Sequence, residues 1–253
     1  MTGTLYIVGL GPGPDGWLTP EASAALAQAD VLIGYKPYVD RVPAREGLAR
    51  HASDNRVEID RARQALQLAQ EGHVVAVVSG GDPGIFAMAA TVFEAVEAGD
   101  PAWRALDIRV LPGVSAMQAA AARLGAPLGH DFCAISLSDN LKPWDVIARR
   151  LEAAAHGDFV IALYNPASTA RPQGIHAAFE LLRSLKNRET PVAFARAVGR
   201  ADERIVLATL GTADTALVDM STLVLIGSSE TRFVPRAGAA PWLLTPRTYG
   251  AGR

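Results

Sequence analysis

The stretch YIVGLGPGPDGWLTPEA at residues 6–22 joins an apolar run to a loop of glycine and proline, and then to a helix start. The run Tyr6–Val8 has the aromatic and β-branched side chains that are enriched in strands. Thr19 and Pro20 suit a helix start, because a threonine oxygen can cap backbone N–H groups and proline lacks one. The stretch therefore predicts a strand–loop–helix unit, which is the repeating element of an α/β fold.

The rest of the chain repeats this alternation. Short runs rich in valine, isoleucine and leucine are followed by longer alanine-rich stretches of helical periodicity. We predict strands at residues 5–9, 31–34, 73–78, 107–111, 132–137, 159–163, 192–196, 204–208 and 222–226. We predict helices at residues 20–29, 58–71, 85–98, 115–124, 143–155, 171–187 and 212–216. The residues after Glu230, rich in proline, arginine and glycine, are predicted to form a wrapping arm.

A cluster of glycine and proline at residues 125–129, GAPLG, predicts the seam between two α/β domains. The 253 residues are enough for two domains, each with its own core. The predicted N-terminal domain, residues 1–126, carries the opening loop as a substrate platform together with a GGDPG loop. The predicted C-terminal domain, residues 127–253, ends in the arm.

The composition predicts a cytoplasmic enzyme with a small-molecule partner. A net charge of −2 provides no field that would gather nucleic acid, and no apolar run approaches the roughly 20 residues of a membrane span. The N-terminus lacks a basic-then-apolar leader. Cys133 is the single cysteine and lies in an apolar run, which excludes an intrachain disulfide and favours a buried thiol. We therefore predict neither nucleic-acid nor membrane partners, and no metal held by the protein.

The opening loop contains the pattern G-x-G-x-x-G at Gly11, Gly13 and Gly16, the fingerprint of dinucleotide-binding loops. In such a site the helix begins within the glycines, so that its N–H groups face the pyrophosphate. Here prolines remove two donors, the helix begins only after residue 19, and no acidic residue ends the second predicted strand. We interpret the loop either as a substrate platform with one carboxylate, Asp15, or as a tight turn that holds no ligand.

Five predicted strands run into loops with marked composition: GPGPD, SGGDPG, PGVSA, SLSDN and YNPAS. In open α/β sheets ligands bind beyond the carboxyl ends of the strands, so these loops are predicted to form the site. Gly80 and Gly81 would expose backbone to a flat ligand such as an adenosine, and Ser115 at a helix start suits a carboxylate or phosphate. Asn165 precedes a proline, which predicts an extended backbone there.

In this order and spacing the loops resemble the tetrapyrrole methyltransferase family, two-domain enzymes that methylate cobalamin and sirohaem precursors with S-adenosylmethionine. The resemblance rests on VGLGPGPDGWLTPEA, VVSGGDPGIF, LPGVSA, LYNP and RAVGRADERIVLATL, and covers residues 5–249. Other stretches, above all GHDFCAISLSDNLKPW at residues 129–144, are similar to the branch that methylates precorrin-3B at C17. Gly80, where serine is expected, and Thr248, where glycine is more usual, depart from the family pattern.

The resemblance implies two α/β domains with mixed sheets, a homodimer, and S-adenosylmethionine in the cleft between the domains. The implied reaction is methyl transfer to C17 of precorrin-3B with contraction of the macrocycle to precorrin-4, in cobalamin biosynthesis. Methyl transfer needs mainly the alignment of two reactants, whereas contraction moves protons and calls for a positioned acid or base. The implied cofactor contacts are Pro12, Gly80, Gly81, Asp82, Ile85, Ser115, Ala116, Asn165 and Val198.

The candidate catalytic residues are Asp15, His130 and Asp139, with Asp131 beside them. His130 has an alternative interpretation as a hydrogen-bonded histidine between domains. The substrate carries carboxylates, so some arginines or lysines must meet it, although solvated surface charge is the more typical role of any one of them. The candidates are Lys36, Arg41, Lys142 and Arg171.

Three rival functions remain at this point. A sister methyltransferase acting at another ring carbon would keep the cofactor loops, and only residues 129–144 and the tail argue against it. A dinucleotide oxidoreductase is disfavoured by the late helix start and the missing acid. A non-catalytic tetrapyrrole-binding protein would not need the cofactor loops, and a test of S-adenosylmethionine binding separates it from an enzyme. Whether the substrate is metal-free or contains cobalt stays open.

Overall fold

The computed structural model describes residues 3–54, 57–140, 142–167 and 173–250. The chain divides into two compact units, Met1–Ala116 and Met117–Arg253. The predicted boundary lies later, at residue 126, because GAPLG marks the end of a helix that belongs mostly to the second unit. Met117, in the first turn of that helix, donates its N–H to the Tyr164 hydroxyl oxygen at 3.1 Å.

The first unit is a sheet covered by helices. Its strands are β1 (Thr4–Gly9), β2 (Val31–Tyr35), β3 (Ala49–Ser53), β4 (Val74–Ser79) and β5 (Asp107–Leu111). Its helices are α1 (Pro20–Gln28), α2 (Lys36–Val39), α3 (Glu58–Gln70), α4 (Met88–Ala98) and α5 (Ala116–Leu124), the last of which runs on into the second unit. Short 3-10 turns lie at Asp15–Trp17 and Pro101–Ala105. The strand order is β3-β2-β4-β1-β5, and every pairing is parallel.

Both faces of this sheet are buried. Leu5 and Ile7 of β1 belong to the cluster formed with α3 and α4, whereas Val8 belongs to the cluster formed with α1 and α2. Burial on both faces accounts for the nearly continuous apolar runs of these strands. The helices that follow β1 and β4 therefore cover opposite faces. The carboxyl ends of these two neighbouring strands form a switch point, where open α/β sheets bind ligands.

The second unit contains two sheets. Its strands are β6 (Gly125–Ala126), β7 (Phe132–Ser136), β8 (Val160–Tyr164), β9 (Pro191–Arg196), β10 (Arg204–Thr209), β11 (Thr222–Ile226), β12 (Arg232–Arg236) and β13 (Ala239–Leu244). Its helices are α6 (Trp144–His156) and α7 (Gln173–Leu185), with a 3-10 turn at Thr215–Leu217. The larger sheet has the order β10-β9-β11-β8-β7, and the smaller one β12-β13-β6. The larger sheet is mixed, because β7 and β8 are parallel and its other pairs antiparallel.

The predicted α/β class is confirmed, and each predicted strand lies within one residue of its expected bounds. The mixed sheet occurs in the second unit, whereas the first sheet is parallel throughout. The predicted helix start is also confirmed, because the Thr19 hydroxyl oxygen accepts a hydrogen bond from the Ala22 N–H at 3.2 Å. In the described residues, no helix combines the length and apolar composition needed to cross a bilayer.

Several predicted elements were wrong or missed. The arm after Glu230 is the hairpin β12–β13, and its strands escaped prediction because most of their side chains are exposed. Strand β3, ARHAS, is a polar edge strand without an apolar run. The helix predicted from residue 85 begins at Met88, since Phe86 adopts a φ of 52° that no right-handed helix contains. The helix predicted at residues 212–216 is only the 3-10 turn at Thr215–Leu217.

Candidate functional site

One arginine, Arg41, is hydrogen-bonded to the backbone of the opening loop. The Arg41 guanidinium donates hydrogen bonds to the carbonyl oxygens of Leu10, Gly11 and Gly13 at 2.8, 2.8 and 2.9 Å. The sequence placed Arg41 among the candidate substrate cations, whereas in the structure its guanidinium is hydrogen-bonded to these three backbone carbonyls. Asp15 lies at the exposed tip of this loop.

The loops that follow β1 and β4 pair with each other through glycine backbone. Gly11 and Gly81 exchange two hydrogen bonds, with N–O distances of 3.1 and 3.0 Å. Both residues have positive φ, 65° and 71°, a conformation in which glycine carries no steric cost. The Gly81 N–H is therefore used within the protein. What a ligand could approach here is the open side of Gly81, where an added Cβ would meet nothing closer than the Ala116 nitrogen at 3.9 Å.

Asp82 fixes the SGGDPG loop to the PGVSA loop. One carboxylate oxygen accepts from the Gly84 N–H at 2.8 Å, as its position in the turn predicts, and the other accepts from the Gly113 N–H at 3.0 Å. Gly113 in turn lies so close to Gly9 and Gly81 that it has no room for a Cβ. Asp82 thus acts on the site by holding two loops in register.

Gly80 is a glycine for a reason that the sequence did not reveal. A Cβ on Gly80 would lie 2.6 Å from a ring carbon of Tyr38, which stands on α2. The tyrosine ring occupies the space that a serine side chain would need. This packing explains the departure from the family pattern at residue 80. Tyr38 carries no signal of this role in the sequence, because only the pairing of β2 with β4 brings α2 to the loop.

The remaining first-unit candidates differ in exposure. Pro12 and Ser115 are buried, whereas Ile85 and Ala116 are half-buried. Ser115 precedes α5, as predicted, but only 1% of its surface is exposed, so its side chain is mainly part of the protein interior. The backbone at the start of α5 is the more accessible part of this predicted contact.

Strained backbone accompanies the predicted cofactor residues. In the described ranges, four residues other than glycine have positive φ, and three of them are Phe86, Asn165 and Ala197. Asn165 is a predicted contact, and the other two adjoin the predicted contacts Ile85 and Val198. Backbone of this kind costs of order 1–3 kcal/mol and is concentrated at functional sites. The extended backbone predicted for Asn165 was wrong, because asparagine tolerates the left-handed region even before proline.

In the second unit, the carboxyl ends of β7 and β8 are joined by side chains. The Asn165 amide donates to the Ser136 hydroxyl oxygen at 3.0 Å, and the Ser138 N–H donates to the same oxygen at 3.3 Å. The SLSDN and YNPAS loops therefore leave the sheet side by side. Ser136 was not singled out in the sequence, although its place at a strand end was a usable signal.

The loop that carries Val198 is also firmly held. The Gly199 N–H donates to a Glu203 carboxylate oxygen at 2.7 Å, and Arg123 donates to the other oxygen at 2.9 Å. Burial raises the pKa of Glu203, but these hydrogen bonds outweigh it and leave the pKa below its usual value. The buried Val198 follows Ala197, whose N–H donates to the Ser221 carbonyl at 2.9 Å.

These loops can be compared with those of known proteins. Residues 4–214 match the family Tetrapyrrole (Corrin/Porphyrin) Methylases. The chain belongs to this family. The methylase is 57% identical to the precorrin-3B C(17)-methyltransferase of a Sinorhizobium species over 249 residues, 98% of each chain. It is 43% identical to the probable cobalt-factor III C(17)-methyltransferase of Salmonella typhimurium over 248 residues, 97% of this chain and 99% of the other.

The fold gives the same answer. The crystal structure of the methyltransferase CobJ superposes on this methylase with a TM-score of 0.92 at 51% identity, covering 97% of this chain and 100% of the other. The resemblance inferred from the loops is thus confirmed. The chain is a methyltransferase that uses S-adenosylmethionine, the methyl donor of this family.

Two of the three candidate catalytic residues of the methylase, His130 and Asp139, lie at opposite ends of one strand. His130 precedes β7 and Asp139 follows it, so a five-residue strand of about 16 Å lies between them. Asn165 follows β8, which runs parallel to β7, so Asp139 leaves the same sheet edge as Asn165. The geometry therefore favours Asp139 over His130 for a role beside the predicted cofactor residue.

His130 belongs to a cluster at the amino ends of β7 and β8. Its Nδ1 accepts from the Asp131 N–H at 2.8 Å, and its ring meets that of Tyr249 at 5.4 Å between centroids. The Tyr249 hydroxyl donates to the Asp158 carboxylate, which also pairs with the buried Lys186. His130 is thus hydrogen-bonded and packed within the second unit, and Tyr249 ties the residues after β13 to this cluster.

The candidate cations fare differently in the methylase. Lys36 pairs with Asp40 at 2.7 Å on the surface, and Arg41 is committed to the opening loop. Arg171 lies outside the described residues. Lys142 is half-buried just before α6. Within the described ranges, no three His, Cys, Asp or Glu side chains are arranged to hold a metal ion, and the predicted absence of a metal stays a prediction.

Proposed function

We propose that this protein methylates precorrin-3B at C17, with S-adenosylmethionine as donor and with contraction of the macrocycle to precorrin-4, in cobalamin biosynthesis. The relative named as a precorrin-3B C(17)-methyltransferase, 57% identical over 98% of both chains, carries the proposal. The stretch GHDFCAISLSDNLKPW adds support, because it is similar to the branch that acts at C17. Its loop also leaves the sheet beside Asn165, a predicted cofactor contact. We further propose that the protein is cytoplasmic and forms a homodimer. Light scattering on the purified protein can test the oligomeric state.

The residues present fit the methyl donor. Gly81 leaves an open space beside the start of α5, because a Cβ added at Gly81 would meet no atom closer than the Ala116 nitrogen at 3.9 Å. Bare backbone of this kind suits an adenosine, and a helix start suits a carboxylate. We propose that Pro12, the Gly80–Asp82 turn, Ile85, Ser115 and Ala116 hold the donor from the first unit, and Asn165 and Val198 from the second. When bound, S-adenosylmethionine supplies an activated methyl group.

The chain's own tasks are then alignment and proton movement. Methyl transfer needs the two reactants held in line, which the rigid glycine pair and the Asp82 bridges favour. Contraction needs a residue that accepts or gives a proton. Asp15 on the opening loop and Asp139 beyond β7 are exposed carboxylates at loop tips, so each is accessible to a substrate. We assign the proton step to one of these two.

The product identifies the reaction. Purified protein, S-adenosylmethionine and precorrin-3B should yield a species heavier by one methylene, with the ultraviolet–visible spectrum of a contracted ring. Carbon labelling of the donor methyl and nuclear magnetic resonance then locate it. A methyl group on another ring carbon would replace the proposal by the sister-enzyme alternative. Tetrapyrrole binding without affinity for S-adenosylmethionine would instead favour a carrier.

A cobalt-containing substrate is the second candidate. It is favoured by the Salmonella relative, which is named for cobalt-factor III and spans nearly the whole chain. Its identity of 43% is lower than the 57% of the precorrin-3B enzyme, so we place the metal-free substrate first. Parallel assays with precorrin-3B and cobalt-factor III give the ratio of kcat/KM that decides between them.

Replacement of Asp15 should slow turnover without affecting donor binding. Asp15→Asn keeps the size of the side chain and removes the charge, so we expect kcat to fall about a hundredfold if this carboxylate moves a proton. Glu21→Gln is the matched control, an exposed acid in the first turn of α1. Calorimetry should give the same affinity for S-adenosylmethionine in both variants. An Asp15→Asn enzyme as fast as the parent would leave the loop as a platform without chemistry.

Replacement of Asp139 should separate methylation from contraction. In Asp139→Ala we expect a C17-methylated, uncontracted species to accumulate in single turnover, because methyl transfer needs no side-chain proton transfer. Asp131→Ala is the control, since its exposed carboxylate lies at the other end of β7. Mass and absorbance followed together report the two steps. If both steps slow equally, Asp139 serves binding rather than contraction.

A further inference from the structure

The candidate cations of this protein differ in whether another group of the protein already binds their charged end. Lys36 has Asp40 as its partner, and Arg41 donates to three carbonyls. Lys142, by contrast, forms no hydrogen bond or ion pair with any residue in the described ranges. Of the candidates that the structure describes, it is therefore the one whose charge is left for a ligand.

The surroundings of Lys142 disfavour its charge. The side chain is half-buried, and burial lowers its pKa, which the neighbouring positive charge of Arg150 lowers further. Within the described part of the chain, no acidic group offsets either effect. A carboxylate brought to this ammonium would relieve both, because an opposite charge stabilises the protonated lysine. A lysine in this state gains more from an anion than a fully solvated one does.

Lys142 lies near the sheet edge at which the predicted site residues Asp139 and Asn165 are found. It follows the SLSDN loop, which the Ser136–Asn165 hydrogen bond holds at the carboxyl ends of β7 and β8. It also precedes α6, whose N-cap residue, Pro143, provides no side-chain cap. The free N–H groups of a helix start favour negative charge nearby. Asp145 in this first turn is exposed and faces Arg149 at 3.9 Å.

We infer that Lys142 binds a peripheral carboxylate of the tetrapyrrole substrate. The inference rests on the proposed function, and it selects one residue from the group that the sequence left undivided. Corrin precursors carry acetate and propionate side chains around the ring, and a lysine on a flexible stem meets such a carboxylate as a point charge. Lys142 is then a substrate-binding residue and takes no part in proton transfer.

Steady-state kinetics with precorrin-3B test this assignment. Lys142→Met keeps the apolar stem and removes the charge, and should raise KM about ten- to a hundredfold while kcat stays within about twofold. Lys142→Arg should recover most of the affinity. Lys36→Met is the matched control and should leave KM unchanged, because its charge is used in an exposed pair. The KM of Lys142→Met should also depend less on salt than that of the parent.

Two further measurements distinguish a substrate carboxylate from the donor's carboxylate, and failure of this inference from failure of the proposed function. Calorimetry with S-adenosylmethionine should give the same affinity for Lys142→Met and the parent. A weakened donor affinity would assign the lysine to the donor's carboxylate and overturn the inference, as would an unchanged KM or an equal loss of kcat. If the parent transfers no methyl group, the proposed function fails, and an anaerobic absorbance titration with precorrin-3B still tests Lys142 directly.

Discussion

Gly113→Ala should weaken S-adenosylmethionine binding by about a hundredfold. A Cβ on Gly113 would lie 2.4 Å from the Gly81 carbonyl oxygen and 3.0 Å from the Gly9 Cα. Both are backbone atoms of packed loops, so the SGGDPG loop must move. Loss of the close backbone approach to the donor should cost about 2.8 kcal/mol, which corresponds to a hundredfold in affinity. The overpacking should also lower the free energy of unfolding by about 1–3 kcal/mol.

Gly16→Ala is the matched control for this prediction. Gly16 lies in the opening loop, its φ is negative, and an added Cβ would meet nothing within 4 Å. We expect its donor affinity and melting temperature to equal those of the parent. Calorimetry on protein that is folded by circular dichroism measures both variants. Parent-like affinity in Gly113→Ala would remove the SGGDPG and PGVSA loops from the donor site.

Asp158→Asn should produce the largest loss of stability away from the site. The Lys186 ammonium is 3.1 Å from the Asp158 carboxylate, and the two side chains are 4% and 22% exposed. Asparagine is nearly the same size and suits the φ of 54° at this position, so the change removes mainly the charge. Leaving the lysine buried without a counter-charge should cost about 3 kcal/mol. Urea unfolding measures this difference.

Two controls separate the buried charge from other effects. Asp158→Asn combined with Lys186→Met removes both charges and should recover a large part of the loss. Asp40→Asn breaks the exposed pair with Lys36 and should change stability by less than about 0.5 kcal/mol. If the double variant is less stable than Asp158→Asn alone, the ion pair does not explain the effect.

The pH dependence of stability follows from the same carboxylate. Burial raises the pKa of Asp158, but hydrogen bonds from Ser229, Tyr249 and Lys186 outweigh it, so the folded pKa lies below its usual value. The stabilisation is therefore complete above the unfolded pKa of about 3.9 and is lost as the pH falls through the folded pKa. The parent should lose stability more steeply than Asp158→Asn below about pH 4. Loss of the Asp158 charge should also weaken its hydrogen bond with Tyr249, so that the residues after Leu244 become more susceptible to proteolysis.

Much of the fold could be predicted because its central strands are buried on both faces. Runs such as Tyr6–Val8 must be apolar throughout, and the helices between them carry regular apolar periods. Strand β3 and the hairpin β12–β13 could not be predicted in this way. Their side chains are mostly exposed or half-buried, and the pairing of β13 with β6 joins residues that are far apart in the chain.

The class of fold and the loops of the candidate site could be predicted from the amino-acid sequence, because strand ends, glycines and prolines are local signals. The roles of individual polar residues became clear only from their tertiary contacts. Arg41 looked like a substrate cation and instead holds the opening loop, whereas Lys142 has no partner in the described ranges. His130 and Asp139 are close in sequence, yet an extended strand separates them. Hydrogen bonds and charge pairs join residues that are distant along the chain, so their partners cannot be read from local sequence.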